Sequence, residues 1–170
     1  MYASIGGTCY FFDTVLQTKS EAKEKCIKND GKLWEPNSIE IINQVYSKAQ
    51  EASKDKYWVG ISDAASEGTF KFDSNEEIFP FTPQNAPWKG NEPNGGTTEN
   101  CVFMDKNMEF FDVKCIYFKY ISICETSGDK CFFYTITTST LKAALPIYFA
   151  TIQLESRNLY SLYHRNGNGL

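Results

Sequence analysis

Six cysteines constrain the fold of this chain more than any other feature. They are Cys9, Cys26, Cys101, Cys115, Cys124 and Cys131. No two of them have the C-x-x-C spacing typical of zinc sites and thioredoxin-like redox sites. An even set of widely spaced cysteines favours three disulfides and an oxidising compartment, with buried free thiols in a reducing compartment as the alternative. A chain of 170 residues has room for one ordinary core or one core plus a small appendage.

Charge and histidine content argue against two large classes of function. The chain has 17 Lys and Arg against 21 Asp and Glu, a net charge of −4. It therefore lacks the basic surface that binds nucleic-acid phosphates. The single histidine, His164, stands near the C-terminus. Without another histidine the chain lacks the usual general base, the Ser-His-Asp and Cys-His arrangements and a His-rich zinc site, so no enzyme is predicted.

Neither end of the chain carries a recognisable targeting or membrane segment. Residues 1–7 have no basic region, apolar core or cleavage site, so no signal peptide is visible. Because the cysteines favour secretion, we expect a trimmed leader or an incomplete gene model. The most apolar stretch of the tail, 141–154, contains Lys142 and Pro146 and is too short to cross a bilayer. No membrane span is predicted.

Local patterns predict an α+β fold. The predicted elements are, in chain order, a strand at 9–15, a helix at 20–28 capped by Ser20, a helix starting at Asn37, and strands at 57–61, 70–72, 101–104 and 117–124. Asn37 and Glu40 have the spacing of a capping box. The helical positions predicted to face the core are Ala22, Cys26 and Ile27, then Ile39, Ile42, Val45, Tyr46 and Ala49. A strand, two helices and then several strands are the order expected of an α+β domain.

A long segment at 75–100 is dense in Pro, Gly, Asn and Thr. Loops of this length in a compact domain are usually functional or disordered. Phe79, Phe81 and Trp88 offer apolar anchors and Cys101 a tether, which favours a functional loop. Residues 1–125 contain 19 acids and 13 bases, whereas residues 126–170 contain two acids and four bases. The acidity therefore belongs to the part of the chain that includes this loop.

Side-chain oxygens gather around Cys101 and Cys115. They belong to Glu92, Asn94, Glu99, Asn100 and Asp112. Oxygen ligands without histidine or cysteine suit Ca²⁺, which takes six to eight of them. The carboxylates would also repel one another without a cation. A cis bond before Pro93 would direct both neighbouring side chains to one point, and a calcium ion there could accept the hydroxyls of a sugar. A second Glu-Pro-Asn run at 35–37 is explained as the lead into a helix.

An ordered set of motifs resembles the C-type lectin domain family. The motifs are CYFF from Cys9, the helix around Ala22 and Cys26, WVGI from Trp58, WKGNEPN from Trp88, ENCV from Glu99, FFDVKC ending at Cys115, and ISICE ending at Glu125. The resemblance covers residues 9–125. It implies a C-type lectin-like α+β fold, in which two helices flank small antiparallel sheets with a long loop region stapled by disulfides. Residues 1–8 are then a lead and residues 126–170 an extension of uncertain structure.

The resemblance also implies how the cysteines pair. In the family, the cysteines at the positions of Cys26 and Cys124 are bonded, as are those of Cys101 and Cys115. Cys9 is left with Cys131. Because the first and last strands of the family fold run antiparallel, the start of one lies near the end of the other, and a Cys9–Cys131 bond is expected.

The resemblance assigns the oxygen cluster to the family's primary calcium and sugar site. Glu92, Asn94, Glu99 and Asp112 would bind both Ca²⁺ and sugar. The EPN run resembles the mannose-type version of the site. Phe111 stands where the family has Asn, which removes one ligand and one hydrogen-bond donor, so weaker binding of ion and sugar is expected.

An accessory calcium site is also implied. Its residues here are Asp63, Glu67 and Asn100, while Gly95 stands where an acid is often found. The alternative is that Asp63 and Glu67 cap a turn on a solvated surface.

The function implied is a secreted, non-enzymatic, calcium-dependent lectin of the mannose type. Its partner would be a glycan or a cell-surface glycoprotein, and an oligomer is compatible with this role. The alternative is a calcium-independent C-type lectin-like module that binds a protein or another surface, motivated by Phe111. Restoring Asn at that position would separate a decayed sugar site from a new one.

Overall fold

The computed structural model describes residues 1–53, 55–82, 87–128 and 130–131, which belong to a unit formed by Met1–Cys131. Its elements are β1 (Tyr2–Ile5), β2 (Thr8–Phe12), α1 (Lys19–Lys28), β3 (Lys32–Leu33), α2 (Ile39–Ala52), β4 (Tyr57–Ser62), β5 (Lys71–Phe72), a 3-10 helix (Gly96–Thr98), β6 (Cys101–Met104), β7 (Phe110–Val113) and β8 (Ile121–Ser127). The apolar stretch 141–154 and His164 lie outside the described residues.

The strands form one mixed sheet. Its main order is β1-β2-β8-β4-β6-β7, with β3 added beside β8 and β5 beside β4. The α+β prediction is confirmed. The resemblance implies antiparallel sheets, and this is wrong for one pair of strands. β4 and β8 run parallel, with Tyr57 opposite Ile121. β8 is therefore the central strand that joins the first half of the fold to the strands carrying the candidate site.

The N-cap of the first helix lies two residues earlier than predicted. Thr18, not Ser20, is its N-cap. The Thr18 hydroxyl accepts the backbone N–H of Glu21 at 3.3 Å, and the Glu21 carboxylate accepts the N–H of Thr18 at 2.8 Å. This reciprocal capping box satisfies two end groups of the helix. Ala22 and Cys26 are buried as predicted, whereas Ile27 is exposed.

The second helix begins at Ile39, capped by Ser38 rather than by Asn37. The Ser38 hydroxyl accepts the N–H of Ile41 at 3.2 Å. Of the predicted core positions, Ile42, Val45 and Ala49 are buried, Tyr46 is half-buried and Ile39 is exposed. The predicted spacing therefore holds in the body of the helix and fails at Ile39, its first residue.

Strand bounds also differ from the predictions. The strand predicted at 9–15 ends at Phe12, and the one predicted at 117–124 begins only at Ile121. Three short strands, β1, β3 and β7, were missed. A signal for β1 existed, because the Gly6-Gly7 pair between β1 and β2 is typical of a hairpin turn, and both glycines have positive φ.

Three disulfides join the elements in the expected pairs. Cys26–Cys124 links α1 to β8, Cys101–Cys115 links β6 to the turn after β7, and Cys9–Cys131 links β2 to the end of the described chain. The described residues contain no free cysteine.

Trp58 and Trp88 are buried, and Trp88 is one of the apolar anchors named for the long loop. The Trp58 Nε1 donates to the carbonyl of Gln17 at 2.7 Å. The Trp88 ring centroid lies 4.8 Å from that of Phe70 and 6.1 Å from that of Phe110. Trp88 therefore anchors the long loop to β7, the strand that supports the candidate site.

A buried charged cluster lies where β3 meets β8. The Lys32 ammonium contacts the carboxylates of Glu35 and Glu125, the latter at 3.3 Å. Glu35 also accepts the N–H and hydroxyl of Ser74, both at 2.8 Å. Burial, opposed by Lys32, raises the pKa of Glu125 to about 7. Two buried or nearly buried carboxylates thus share one half-exposed ammonium.

This cluster predicts a pH-dependent stability. A carboxyl whose pKa is raised from 4.5 to about 7 binds more protons when folded, so its contribution to the free energy of unfolding falls as pH rises through that interval. Replacing Glu125→Gln should remove this slope and stabilise the protein at pH 8 by up to about 3 kcal/mol. Chemical denaturation between pH 4.5 and 8 measures the effect. The exposed Glu24→Gln is the control, and an equal slope in both variants would contradict the assignment.

Candidate functional site

The Glu92–Pro93 peptide bond is cis. The loop that carries it is fixed to β7 just before it, because the N–H of Lys89 donates to the carbonyl of Phe110 at 3.0 Å. The Lys89 ammonium also meets the Glu109 carboxylate at 2.8 Å. The Glu92-Pro93-Asn94 run therefore starts from a fixed point on the sheet.

Asp112 holds the other end of this run. Its carboxylate is buried on β7. Oδ1 accepts the backbone N–H of Asn94 at 3.0 Å, and Oδ2 accepts that of Gly95 at 2.8 Å. Carboxylate hydrogen bonds to backbone N–H groups are among the stronger ones in proteins. Asp112 is thus an organiser of the loop, a role that its spacing in the sequence did not reveal.

Glu92 has one satisfied oxygen and one unsatisfied oxygen. Oε1 accepts the amide N–H of Asn94 at 2.9 Å. Oε2 is buried and accepts no N–H or O–H donor among the described residues, and the Glu92 side chain lies within hydrogen-bonding reach of the Asp112 carboxylate. Burial first, then the neighbouring Asp112 and Glu99 carboxylates, raise the pKa of Glu92 to about 7. A cation beside these carboxylates would remove the repulsion that raises it.

Glu99 follows the 3-10 helix and lies against Gly95. A Cβ placed on Gly95 would overlap Cβ and Cγ of Glu99. Gly95 stands where the family often has an acid, and the structure gives a reason for its absence, since the Glu99 side chain fills that space. Glu92, Asn94, Glu99 and Asp112 are accordingly neighbours.

The predicted accessory residues lie within electrostatic reach of the same strand. Asp63 is buried, and its Oδ2 accepts the N–H of Gly68 at 3.0 Å while Oδ1 has no partner. Burial first, and also the charge of Asp112, raise the pKa of Asp63. The pKa of the exposed Glu67 is also raised, by desolvation first and then by the charges of Asp63 and Asp112. Capping of a turn therefore accounts for Oδ2 of Asp63, which accepts the Gly68 N–H, but not for the buried Oδ1.

Asn100 contributes a further unsatisfied oxygen. Its Oδ1 is buried without a hydrogen-bond partner, while its backbone carbonyl accepts the hydroxyl of Ser62 at 2.7 Å. The oxygens of Glu92, Asp63 and Asn100 thus lack donors within the described part of the chain. A metal ion satisfies such acceptors, and an all-oxygen set suits Ca²⁺. The described residues contain no group of three His, Cys, Asp or Glu gathered as a ligand set, so a cation here would need amide and carbonyl oxygens too.

Phe111 turns away from these oxygens. Its ring stacks on that of Phe103 across β6 and β7, with centroids 4.9 Å apart and planes 1° from parallel. Successive side chains on a strand point to opposite faces, so Phe111 and Asp112 diverge. The ring that replaces the family's Asn therefore serves packing between two strands.

The cavity of about 700 Å³ lined by Tyr10, Lys32 and Glu125 contains none of the predicted site residues. It belongs to the buried charged cluster described above. Among the described residues, no helix is both long and apolar enough to cross a membrane.

Comparison with known proteins decides the family. The family described as "Lectin C-type domain" matches residues 15–126. The chain belongs to the C-type lectin domain family. A human relative, C-type lectin domain family 3 member A, is 34% identical over 103 residues, which is 59% of this chain and 50% of the relative. This C-type lectin chain thus spans about half the length of the mouse, human and bovine family 3 member A relatives.

Solved C-type lectin structures show the same fold. The cow carbohydrate-recognition domain of CD23, determined with GlcNAc2Man3 oligosaccharide, aligns with a TM-score of 0.65 at 23% identity, covering 74% of this chain and 92% of that domain. A calcium-independent type II antifreeze protein aligns with a TM-score of 0.63 at 19% identity, covering 74% and 91%. At these identities the likeness establishes the fold alone.

Proposed function

We propose that this C-type lectin module is a calcium-dependent carbohydrate-binding protein of the mannose type that acts outside the cell. The observation that carries the proposal is the buried Oε2 of Glu92, which accepts no donor in the described part of the chain, beside the carboxylates of Asp112 and Glu99, whose charges raise the pKa of Glu92. A calcium ion would satisfy that oxygen and neutralise the cluster. Three disulfides support an oxidising, extracellular location.

Glu92, Asn94, Glu99 and Asp112 would hold the ion. The bound ion would supply coordination positions for two neighbouring sugar hydroxyls, and the same four side chains would accept or donate hydrogen bonds to them. The Asn94 amide, at present bonded to Glu92, is the donor in this set. Asp112 would keep the loop in place through the N–H groups of Asn94 and Gly95. Asp63, Glu67 and Asn100 would hold an accessory ion.

Calorimetric titration with Ca²⁺ and then with mannose tests this function. Heat of binding is expected for Ca²⁺ alone, and for mannose only when Ca²⁺ is present. Glu92→Gln keeps the size of the side chain and removes its charge, so we expect calcium affinity to fall about tenfold or more. The exposed Glu77→Gln is the control. A protein that gives no heat with either ligand is not a calcium-dependent lectin.

A second candidate is a calcium-independent module that binds a protein or another surface. Phe111 favours this candidate, because it stands at a sequence position where the family has a ligand residue and its ring stacks on that of Phe103. A known antifreeze protein of this fold is itself described as calcium-independent. Mannose binding in EDTA, or partner binding that Glu92→Gln leaves unchanged, would favour this candidate.

A further inference from the structure

Exposed apolar side chains are concentrated at one place on the surface. The described residues include nine exposed large apolar side chains, and five of them lie in two loops. These five are Val15 and Leu16, each 54% exposed, Ile116 and Tyr117, each 73%, and Phe118 at 41%. We call them the apolar tip. Scattered apolar side chains are normal on a surface, but a contiguous group marks an interaction site.

The two loops of the apolar tip are joined at their base. The backbone N–H groups of Gln17 and Tyr120 each donate to the other residue's carbonyl, both at 2.9 Å. The Phe118 ring stacks on that of Tyr120, with centroids 5.9 Å apart. The disulfide from Cys115 to Cys101 fixes the start of the second loop to β6. The tip is therefore held by main-chain bonds and a covalent link while its side chains face solvent.

The charge around the tip is opposite to that of the rest of the module. No acidic residue occurs between Asp112 and Glu125, whereas Lys114 and Lys119 flank the three apolar residues of the second loop. Lys56 lies on the same aromatic surface, with its ammonium 4.9 Å from the ring centroid of Phe103. Residues 1–125 as a whole have a net charge of −6, from 13 bases and 19 acids. The local lysines thus form a basic border around an apolar centre.

Asp13, next to the first loop, accepts the backbone N–H of Val15 at 3.2 Å and is paired with the Lys25 ammonium. Two further acids lie near this border. The Glu21 carboxylate accepts the N–H and hydroxyl of Thr18. These hydrogen bonds, and to a smaller extent the charge of Lys119, lower the pKa of Glu21. Asp55 accepts the backbone N–H of Lys56 at 2.8 Å. Both carboxylates are thus engaged with backbone or hydroxyl donors, and neither forms an ion pair with Lys114 or Lys119 among the salt bridges of the described residues.

We propose that the apolar tip docks the module on an anionic lipid surface. Apolar and aromatic side chains would enter the boundary between headgroups and acyl chains, and the flanking lysines would contact acidic headgroups. A protein interface of standard size needs about 20 to 30 residues on each side, more than the five side chains of the tip supply. A lipid surface needs no shape complementarity, so a small apolar tip with a basic border suits it.

Vesicle sedimentation with the full 170-residue chain tests the proposal. Vesicles of phosphatidylcholine with 30% phosphatidylserine (roughly the content of an acidic leaflet) are compared with pure phosphatidylcholine, all in EDTA. EDTA keeps the test independent of the calcium site, so failure of one proposal leaves the other standing. We expect binding to the acidic vesicles and at least about tenfold weaker binding for the double variant Ile116→Ser, Tyr117→Ser. Lys114→Glu with Lys119→Glu should weaken binding to a similar degree.

Matched controls are Ile78→Ser, which removes a side chain that is 69% exposed elsewhere, and Lys106→Glu in another loop. All substituted residues are exposed, so each variant should keep its melting temperature within about 3 °C. A wild-type chain that does not sediment with acidic vesicles would overturn the proposal. So would equal losses in the controls. Sedimentation equilibrium tests a second occupant. If the wild-type chain forms a dimer and the double variant Ile116→Ser, Tyr117→Ser does not, the tip binds a second copy of this chain instead.

Discussion

Replacing Cys26 and Cys124 together by alanine should lower the free energy of unfolding by about 4 to 5 kcal/mol. The bond joins residues 98 positions apart, but while Cys9–Cys131 stays intact the two residues are already connected through 17 and 7 positions (26 − 9 and 131 − 124). Closing a loop of about 25 residues is worth about 3.5 kcal/mol in the chain-entropy description, and lost packing adds the rest. Cys26 is fully buried and Cys124 nearly so, so truncation at this junction of α1 and β8 also weakens packing. Denaturant unfolding under oxidising conditions measures the loss.

The matched comparison is the Cys101–Cys115 bond, which spans only 14 positions. Its removal should cost about 3 kcal/mol on the same description. The double variant of Cys26 and Cys124 is therefore expected to be the less stable of the two. The reverse order would mean that native-state contacts of the loop, rather than closure of the unfolded chain, dominate the effect.

Replacing Asp112→Ala should both destabilise the protein and reduce its response to calcium, because the ion of the primary site would lose a ligand while the proposed accessory residues stay in place. Two backbone N–H groups, those of Asn94 and Gly95, would lose a carboxylate acceptor. Each lost bond to a charged group is worth about 1.5 to 3 kcal/mol when its partner stays buried, so a total of about 3 kcal/mol is expected for this half-buried loop. A proposed ligand of the ion would disappear at the same time. Thermal unfolding with and without 5 mM Ca²⁺ (roughly saturating for an extracellular site) separates the two effects.

Asp105→Ala is the control for this experiment. The Asp105 carboxylate also accepts two backbone N–H groups, those of Asn107 and Glu109, at 2.8 and 3.0 Å. It has no part in the proposed calcium site. Asp105→Ala should therefore lose stability but keep the rise in melting temperature with calcium. If both variants keep that rise, Asp112 is a structural residue only.

Local patterns predicted the parts of the fold that depend on neighbours in the chain. The spacing of Ile42, Val45 and Ala49 placed the buried face of α2, although Ile39 and the helix start were misplaced. The Thr18-x-x-Glu21 capping box was present in the sequence but Ser20 was preferred, because a cap is a competition between adjacent residues. Short strands such as β3 and β7 were missed, since two to four residues carry too little alternation to be distinguished from loop.

The candidate site was predicted in its membership and only partly in its organisation. The residues Glu92, Asn94, Glu99 and Asp112 were named from oxygen chemistry and from the resemblance to the family. Their spacing in the chain could not show that Asp112 accepts hydrogen bonds from Asn94 and Gly95, because this depends on how the loop folds back onto β7. Similarly, no sequence pattern indicated that Glu99 would fill the space beside Gly95.

The sequence by itself determined the family, the α+β class and the set of oxygen-bearing residues, because motifs and residue chemistry are local properties of the chain. Only the tertiary structure decided where Phe111 points, which carboxylate oxygens lack a donor, and that Glu125 shares Lys32 with Glu35. It also decided that residues 15–16 and 116–118 expose one apolar tip. Each of these features depends on contacts between segments far apart in sequence, and such contacts follow from strand pairing and burial across the whole domain.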